Sequence, residues 1–405
     1  MRWFLLYASI VVFFLAGSSA PTPLYPVYQA SWGFTPVTVT VVFGIYALAV
    51  LATLLVVGSL SDHVGRRPVL LAATLVQAAA MVIFASAHGV GALVAARIVQ
   101  GLATGAAAGA AGAGMIDVDR ERGMVVNGVV PMVGTGLGSM LSGLFVQYLP
   151  GPTSLVYLVL GAIFLLQFAG VLAMPESATR RRGALASLRP RLNVPARLRG
   201  AVLLVIPALV GAWALVGFYG SLGPSLVRTL TASRAPAIGG LPLFVLAGAG
   251  VLAVVATQHQ TPRTTMVAGT TTLAGGVAVT LHAVGTGSIV ELFVGTALAG
   301  AGFGATFQGA IRSAMSLTEP SERAGVLSVL YLVCYLAMGV PAVLAGLRAV
   351  HGGGILTTTK EYGSCVIVLA AAAAVGALLR ERRDRASSPA RRRLAPRREP
   401  RISRV

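Results

Sequence analysis

The chain contains twelve stretches of about 20 apolar residues, and these constrain its fold more than any other feature. They cover 3–28, 37–59, 68–87, 90–115, 124–148, 154–175, 200–226, 236–257, 264–284, 287–315, 324–350 and 361–379, the weakest being the one around Thr270 to Thr280. About twenty residues at 1.5 Å each cross the roughly 30 Å of hydrocarbon in a bilayer. A backbone in hydrocarbon must satisfy its own hydrogen bonds, so such stretches cross as helices. With 56% hydrophobic and 11% charged residues, a chain of 405 also has too little polar surface to coat a soluble globule. The expected fold class is an all-α integral membrane protein with twelve transmembrane helices.

A formal charge of +19 would suit a nucleic-acid binder, but its distribution points elsewhere. With a cytoplasmic amino terminus, the inside segments hold 25 of the 31 basic residues, four lie outside, and Arg97 and Arg312 fall within spans. This is the positive-inside pattern; it predicts a multi-pass protein with both termini cytoplasmic and no nucleic-acid partner. Thirty arginines to one lysine suggest a GC-rich bacterial genome, hence a bacterial inner membrane. Cys334 and Cys365 lie in separate spans without Cys-x-x-Cys spacing, and neither a metal nor another cofactor is expected.

The spans divide six and six. Residues 1–175 are expected to form an N-terminal six-helix bundle, 176–199 a basic cytoplasmic linker, 200–380 a C-terminal six-helix bundle, and 381–405 a disordered basic cytoplasmic tail. Glu121-Arg122-Gly123 opens the fifth span and Glu322-Arg323-Ala-Gly325 the eleventh; Gly101-x3-Gly105-x3-Gly109 in the fourth is answered by Gly300-x3-Gly304 in the tenth. Small residues at every fourth position let helix backbones approach closely in lipid, so the halves read as pseudo-symmetric. The linker carries seven arginines between Arg180 and Arg199. Each basic residue near an anionic leaflet adds about 1 kcal/mol of attraction, which makes membrane lipids expected partners.

Between the second and third spans the chain reads Gly58-Ser-Leu-Ser-Asp62-His-Val-Gly65-Arg66-Arg67-Pro68-Val-Leu70. This resembles the Gly-x-Leu-x-Asp-x-x-Gly-Arg-Arg loop of the major facilitator superfamily, secondary transporters with twelve spans in two pseudo-symmetric six-helix bundles. Gly58 and Gly65 permit close approach and a sharp turn, while Arg66 and Arg67 hold the loop on the cytoplasmic side. Asp62 can neutralise the positive N-terminal end of a helix in the other half, worth about 0.3–1 kcal/mol when exposed. The resemblance implies a conformational latch in which Asp62 and Arg66 are joined by an acid near the end of the fourth span. Asp117 is the candidate, with Asp119 close by.

Leu93-x3-Arg97-x2-Gln100-Gly101 resembles the Arg-x-x-Gln-Gly signature of the drug:proton antiporter branch. The fifth span, Gly134-Thr-Gly136-Leu-Gly138-Ser139-Met-Leu-Ser142-Gly143, resembles the next signature in part, with serines where Gly-Pro and a later Gly-Gly would show. Pro21-Thr-Pro23-Leu-Tyr25-Pro26 resembles a further element of that branch; prolines there loosen the helix. An arginine within hydrocarbon costs about 2.5–3.5 kcal/mol on insertion scales, so Arg97 should face a wet cavity or a partner, or else snorkel to the outer headgroups.

Proton coupling needs a titratable group in the pathway. Glu291 is the one carboxylate inside a span away from the cytoplasmic ends, and it either pairs with Arg97 across a cavity or stands exposed at the interface. Trp213, Phe218 and Tyr219 in the seventh span are candidates for an apolar cavity wall, and Thr306 and Gln308 in the tenth for hydrogen bonds. Each is equally compatible with an ordinary helix contact. The resemblance implies a carrier rather than an enzyme. It is expected to be a monomer that moves a small, largely apolar molecule by alternating access, as proton-coupled efflux. Proton-coupled uptake of a sugar or other metabolite is the alternative within the class, and a non-transporting membrane receptor or scaffold the alternative outside it.

Overall fold

A computed structural model describes residues 1–393 apart from 179–181, Arg191, Arg234 and Pro320, with the backbone alone for 380–393. Among the described residues every regular element is helical. In chain order these are α1 (Arg2–Ser19), a 3-10 turn (Thr22–Leu24), α2 (Tyr25–Trp32), α3 (Pro36–Val57), α4 (Ser61–Val64), α5 (Arg66–Ala85), α6 (Val90–Val118), α7 (Arg120–Tyr148), α8 (Leu155–Leu172), α9 (Ala184–Ser187), α10 (Ala196–Ser221), α11 (Gly223–Thr231), α12 (Pro236–Thr257), α13 (Pro262–Thr286), α14 (Ile289–Met315), α15 (Arg323–His351) and α16 (Gly354–Arg393). Among the described residues twelve segments are long and apolar enough to cross a membrane, the first being α1 and α2 together. Those spans alternate in direction. One end of the molecule therefore gathers the starts of α1, α5, α10 and α15, and is called the terminal end here; the other is the far end.

Three span boundaries differ from the sequence reading, each for a local reason. The first span breaks after α1 because Pro21, Pro23 and Pro26 carry no N–H to continue the hydrogen-bond ladder. The seventh stretch divides into α10 and α11 at Leu222, where Gly223 and Pro224 open a new helix. The twelfth helix begins at Gly354 rather than 361, directly after a turn in which Gly353 and Gly354 both take positive φ. The backbone of α16 continues through Arg393. Arginine, alanine and glutamate are good helix formers, and extending an existing helix avoids the cost of nucleation. Residues 394–405 lie outside the described residues.

Glycine ridges set the packing within each half. A Cβ at Gly105 of α6 would stand 2.7 Å from Val50 O on α3, and one at Gly304 of α14 would overlap the backbone of Gly250 on α12. The fourth span thus lies on the second as the tenth lies on the eighth. One buried cluster draws on α1, α2, α3, α5, α6, α7 and α8, and two more draw largely on α10 to α16.

Between the halves, contact is made along two seams. On the first, Thr40, Gly44 and Ala47 of α3 meet Gly339, Val343 and Gly346 of α15, all in the far-end parts of their helices. On the second, α7 meets α12, where Ser139 Oγ donates to Gly240 O at 3.2 Å. Thr22 Oγ1 adds a bond to Gly220 O at 3.0 Å. Both cross-half bonds are buried and each is worth about 0.5–1.5 kcal/mol. Thr22→Val with Ser139→Ala is therefore expected to shift the ratio of open to sealed far ends by roughly tenfold or more. Spin labels on the exposed Tyr148 and Val290 would report a growing long-distance population, and an unchanged distance distribution would refute the seal.

Candidate functional site

Three constellations follow from this architecture. The first lies in the turn between α3 and α5. Arg66, whose side chain is 9% exposed, donates through Nε to Asp117 Oδ2 at 3.2 Å, through Nη1 to Ser61 Oγ at 2.7 Å, and to Asp62 Oδ1. Asp117 therefore joins the turn, whereas Asp119 caps α7 by accepting from Arg122 N at 3.0 Å. Asp62 is half exposed and has Arg66 as its ion-pair partner among the described residues. Gly58 packs against α6, where a Cβ on Gly109 would come within 3.2 Å of Gly58 O.

The sequence reading missed the anion at the centre of this turn. Glu176 accepts from Arg66 N at 2.8 Å and Arg67 N at 3.1 Å, so its carboxylate sits on the unsatisfied N–H groups and positive pole of α5. Gly65 makes this possible. Its φ is +105°, and a Cβ there would overlap Glu176 Oε2. Arg67 bonds the carbonyls of Val171 and Leu172 at the end of α8. The available signal was a lone acid four residues before a run of arginines.

The second constellation pins the broken first span. In a continuous helix Gly17 O would accept from residue 21, but Pro21 has no N–H; Gln100 Nε2 donates instead, at 2.9 Å. Arg97 Nη1 donates to Ser18 O at 2.7 Å and Ser142 Oγ to Ala20 O at 2.6 Å. Arg97 also reaches Gln100 Oε1 at 2.8 Å and Tyr25 Oη through Nε at 3.2 Å and Nη2 at 2.5 Å. Its guanidinium lies 5.1 Å from the Tyr46 ring centroid and 5.8 Å from that of Phe84. With 0% exposure, Arg97 neither snorkels nor lines an open cavity in this conformation; it is packed within the first half. No ion pair to Arg97 is found among the described residues. Glu291 stands apart, in the first turn of α14, accepting from Thr286 Oγ1 at 3.1 Å with His282 Nε2 at 3.8 Å. The two charges do not pair here.

The third constellation is aromatic. Trp213 packs against both clusters of the second half and against Phe43, Ala47, Met338 and Ala342, where the halves meet. Ring centroids of Tyr335, Phe307 and Phe303 lie 5.2, 5.5 and 6.4 Å from it. Trp213, Phe307 and Tyr335 are each only partly buried, and the occluded Nε1 of Trp213 has no hydrogen-bond partner. Phe303 and Phe307, one turn apart on α14, could have been read from their spacing. The other cavity candidates face helix contacts. Tyr219 Oη is 2.9 Å from Thr296 Oγ1, Gln308 Oε1 accepts from Thr257 Oγ1 at 3.1 Å, and Thr306 lies against Gly269. Arg312 donates to Gln258 O at 3.2 Å and Gln260 O at 3.0 Å.

Twelve spans, seams between two halves and a packed turn between the second and third spans define a polytopic membrane carrier. The sequence profile of the Major Facilitator Superfamily matches residues 7–261, and the chain belongs to that family: it is a transporter and not an enzyme. The fold is shared with the nucleoside transporter NupG, at TM-score 0.71 and 13% identity over 92% of this chain and 99% of that one. It is shared likewise with the human organic anion transporter MFSD10 (TETRAN), at TM-score 0.64 and 19% identity over the same shares. A segment of 98 residues is 41% identical to citrate exporter 1 of Aspergillus niger. The match covers 23% of this chain and 18% of that protein, so less than a fifth of the relative's length is represented.

Proposed function

We propose that this transporter exports a small, largely apolar molecule across a bacterial inner membrane by alternating access, driven by the proton gradient. The aromatic group around Trp213 carries the reading, because it lies at the junction of the halves, where a rocking motion exposes a site to either side in turn. Its rings suit an apolar ligand and its unpartnered indole N–H suits one acceptor group on that ligand. Glu361, two turns into α16, is paired with Arg348, and the other acids with described side chains sit in turns or near helix ends, Glu291 at the start of α14 included, which favours a neutral substrate over a cation. With both termini cytoplasmic, the seam at the far end would seal the outer side of the membrane. Asp62, Arg66 and Asp117, already joined within the first half, would then be the latch residues that engage the second half when the terminal end closes. The exporter name of the Aspergillus relative agrees with efflux. A second reading, a substrate with a carboxylate, is favoured by the 98-residue segment that is 41% identical to a citrate exporter.

The test is proton movement in sealed proteoliposomes with an entrapped pH dye, challenged with neutral lipophilic compounds and with citrate. A substrate-triggered pH change that disappears in Glu291→Gln supports proton coupling through that residue; a signal that persists places coupling elsewhere. A response to citrate with none to neutral compounds selects the second reading. Trp213→Ala is expected to raise KM by roughly tenfold for an apolar substrate, and an unchanged KM would remove Trp213 from the site.

A further inference from the structure

We propose that the first half encloses an ordered water molecule at the break in the first span, held by Gln77, Gln100 and the Gly17 carbonyl. Gln77 sits near the middle of α5 with 0% exposure, and neither its Nε2 nor its Oε1 has a hydrogen-bond partner in the protein. Turning the amide over exchanges one orphaned atom for the other, so no orientation of the side chain satisfies it. A buried amide without partners is costly, and leucine would fill a similar volume without that cost. A polar side chain kept at this depth therefore points to a polar ligand beside it.

The surroundings supply the rest of a water's coordination. A Cβ on Gly17 would lie 3.3 Å from Gln77 Nε2, 3.7 Å from Gln100 Nε2 and 3.4 Å from Phe164 Cζ. The side chain that Gly17 lacks thus leaves a space bounded by two amide nitrogens and the tip of a ring. Gln100 Nε2 carries two hydrogens and gives one to Gly17 O at 2.9 Å; the other is available to a water, as is the second lone pair of Gly17 O. A water there accepts from Gln77 and Gln100 and donates to Gly17 O or Gln77 Oε1, about three bonds, which is usual for a buried water. Gly17 O is also the carbonyl that Pro21 leaves without its helical donor, so the water belongs to the break itself. Water inserted at an interrupted ladder is a cause of helix bending, and a bridge through it adjusts in length and angle as the halves move.

The experiment is X-ray radiolytic labelling of the full chain in lipid nanodiscs and heavy-oxygen water, read by mass spectrometry at Phe164. Phe164 is 0% exposed and should nonetheless take up label, because radicals form on the enclosed water beside its ring. Gln77→Leu and, separately, Gly17→Ala should each lower that uptake roughly fivefold, while Gln77→Asn, which keeps an amide, should retain it. Gln77→Leu should also lower the melting temperature by about 3 °C, since a Gln100 N–H loses its acceptor, and should speed amide exchange at 18–25 roughly tenfold. An unlabelled Phe164, or uptake that survives both Gln77→Leu and Gly17→Ala, overturns the water site. So does a melting temperature that rises in Gln77→Leu, the result for a dry site relieved of two orphaned atoms. Exchange at 18–25 that ignores Gln77→Leu overturns the water's part in the break.

Discussion

Arg97→Met is expected to lower the melting temperature of the protein and to reduce transport at least a hundredfold. The methionine fills the space but donates nothing, so Ser18 O, Gln100 Oε1 and Tyr25 Oη each lose a donor in an interior that Arg97 occupies with 0% exposure. A buried polar group left unsatisfied costs about 1–3 kcal/mol. Relief from burying a charge offsets part of that, leaving a net loss of roughly 2–4 kcal/mol. Arg97→Lys should recover only part, because a compact ammonium cannot reach Ser18 O and Tyr25 Oη with the geometry of a planar fork. The effect on transport should be larger than on stability, since the freed carbonyls belong to the break in the first span, which must hold its shape while the halves move. Thermal melting in detergent and counterflow in proteoliposomes read the two quantities separately. A Met variant that melts with the parent protein would falsify the pin. Tyr25→Phe combined with Arg97→Met should cost less than the sum of the two, because they remove shared bonds.

Gly65→Ala is the second large effect expected. Gly65 combines a φ of +105° with a ψ of 157°, an extended positive-φ region essentially reserved for glycine, which costs a residue with a Cβ about 1–3 kcal/mol. That Cβ would also displace the Glu176 carboxylate from the N-terminus of α5, breaking two bonds to backbone N–H groups. Hydrogen bonds to a charged group are worth about 1.5–3 kcal/mol each, part of which water restores at the half-open turn. A local destabilisation of about 3 kcal/mol is expected, with transport falling at least tenfold. Glu176→Gln separates the two causes. If eviction of the carboxylate dominates, Gly65→Ala adds little in that background; if backbone strain dominates, the effects add. Equal melting and equal transport for Gly65→Ala and the parent would sink the assignment of Glu176 to the turn.

Much of the fold was legible because it rests on local properties of the chain. Span length, glycine spacing on the fourth and tenth spans, and the prolines that break the first are each set by residues close in sequence. Arg66 and Asp117 were legible through the resemblance of their loop, and Arg97 and Gln100 as polar groups at depths where hydrocarbon tolerates few. Their partners were not. Arg97 looked like a cavity residue because its cost in hydrocarbon is plain from sequence, but the carbonyls that answer it are backbone atoms freed some eighty residues away. Tyr219 and Gln308 looked like ligand contacts because one sequence does not say which side of a fully apolar helix faces its neighbour.

The sequence alone therefore determined that the chain is a twelve-span membrane protein with a turn motif between its second and third spans. Hydrophobic length and charge order require nothing beyond the chain itself. Only the tertiary structure decided that Glu176 sits on the N-terminus of α5, 110 residues away in sequence from Arg66. It alone brought Trp213, Phe303, Phe307 and Tyr335 into one aromatic group at the junction of the halves. Both arrangements depend on which helix faces pack together, and in lipid that choice is made by close contact between surfaces of similar hydrophobicity.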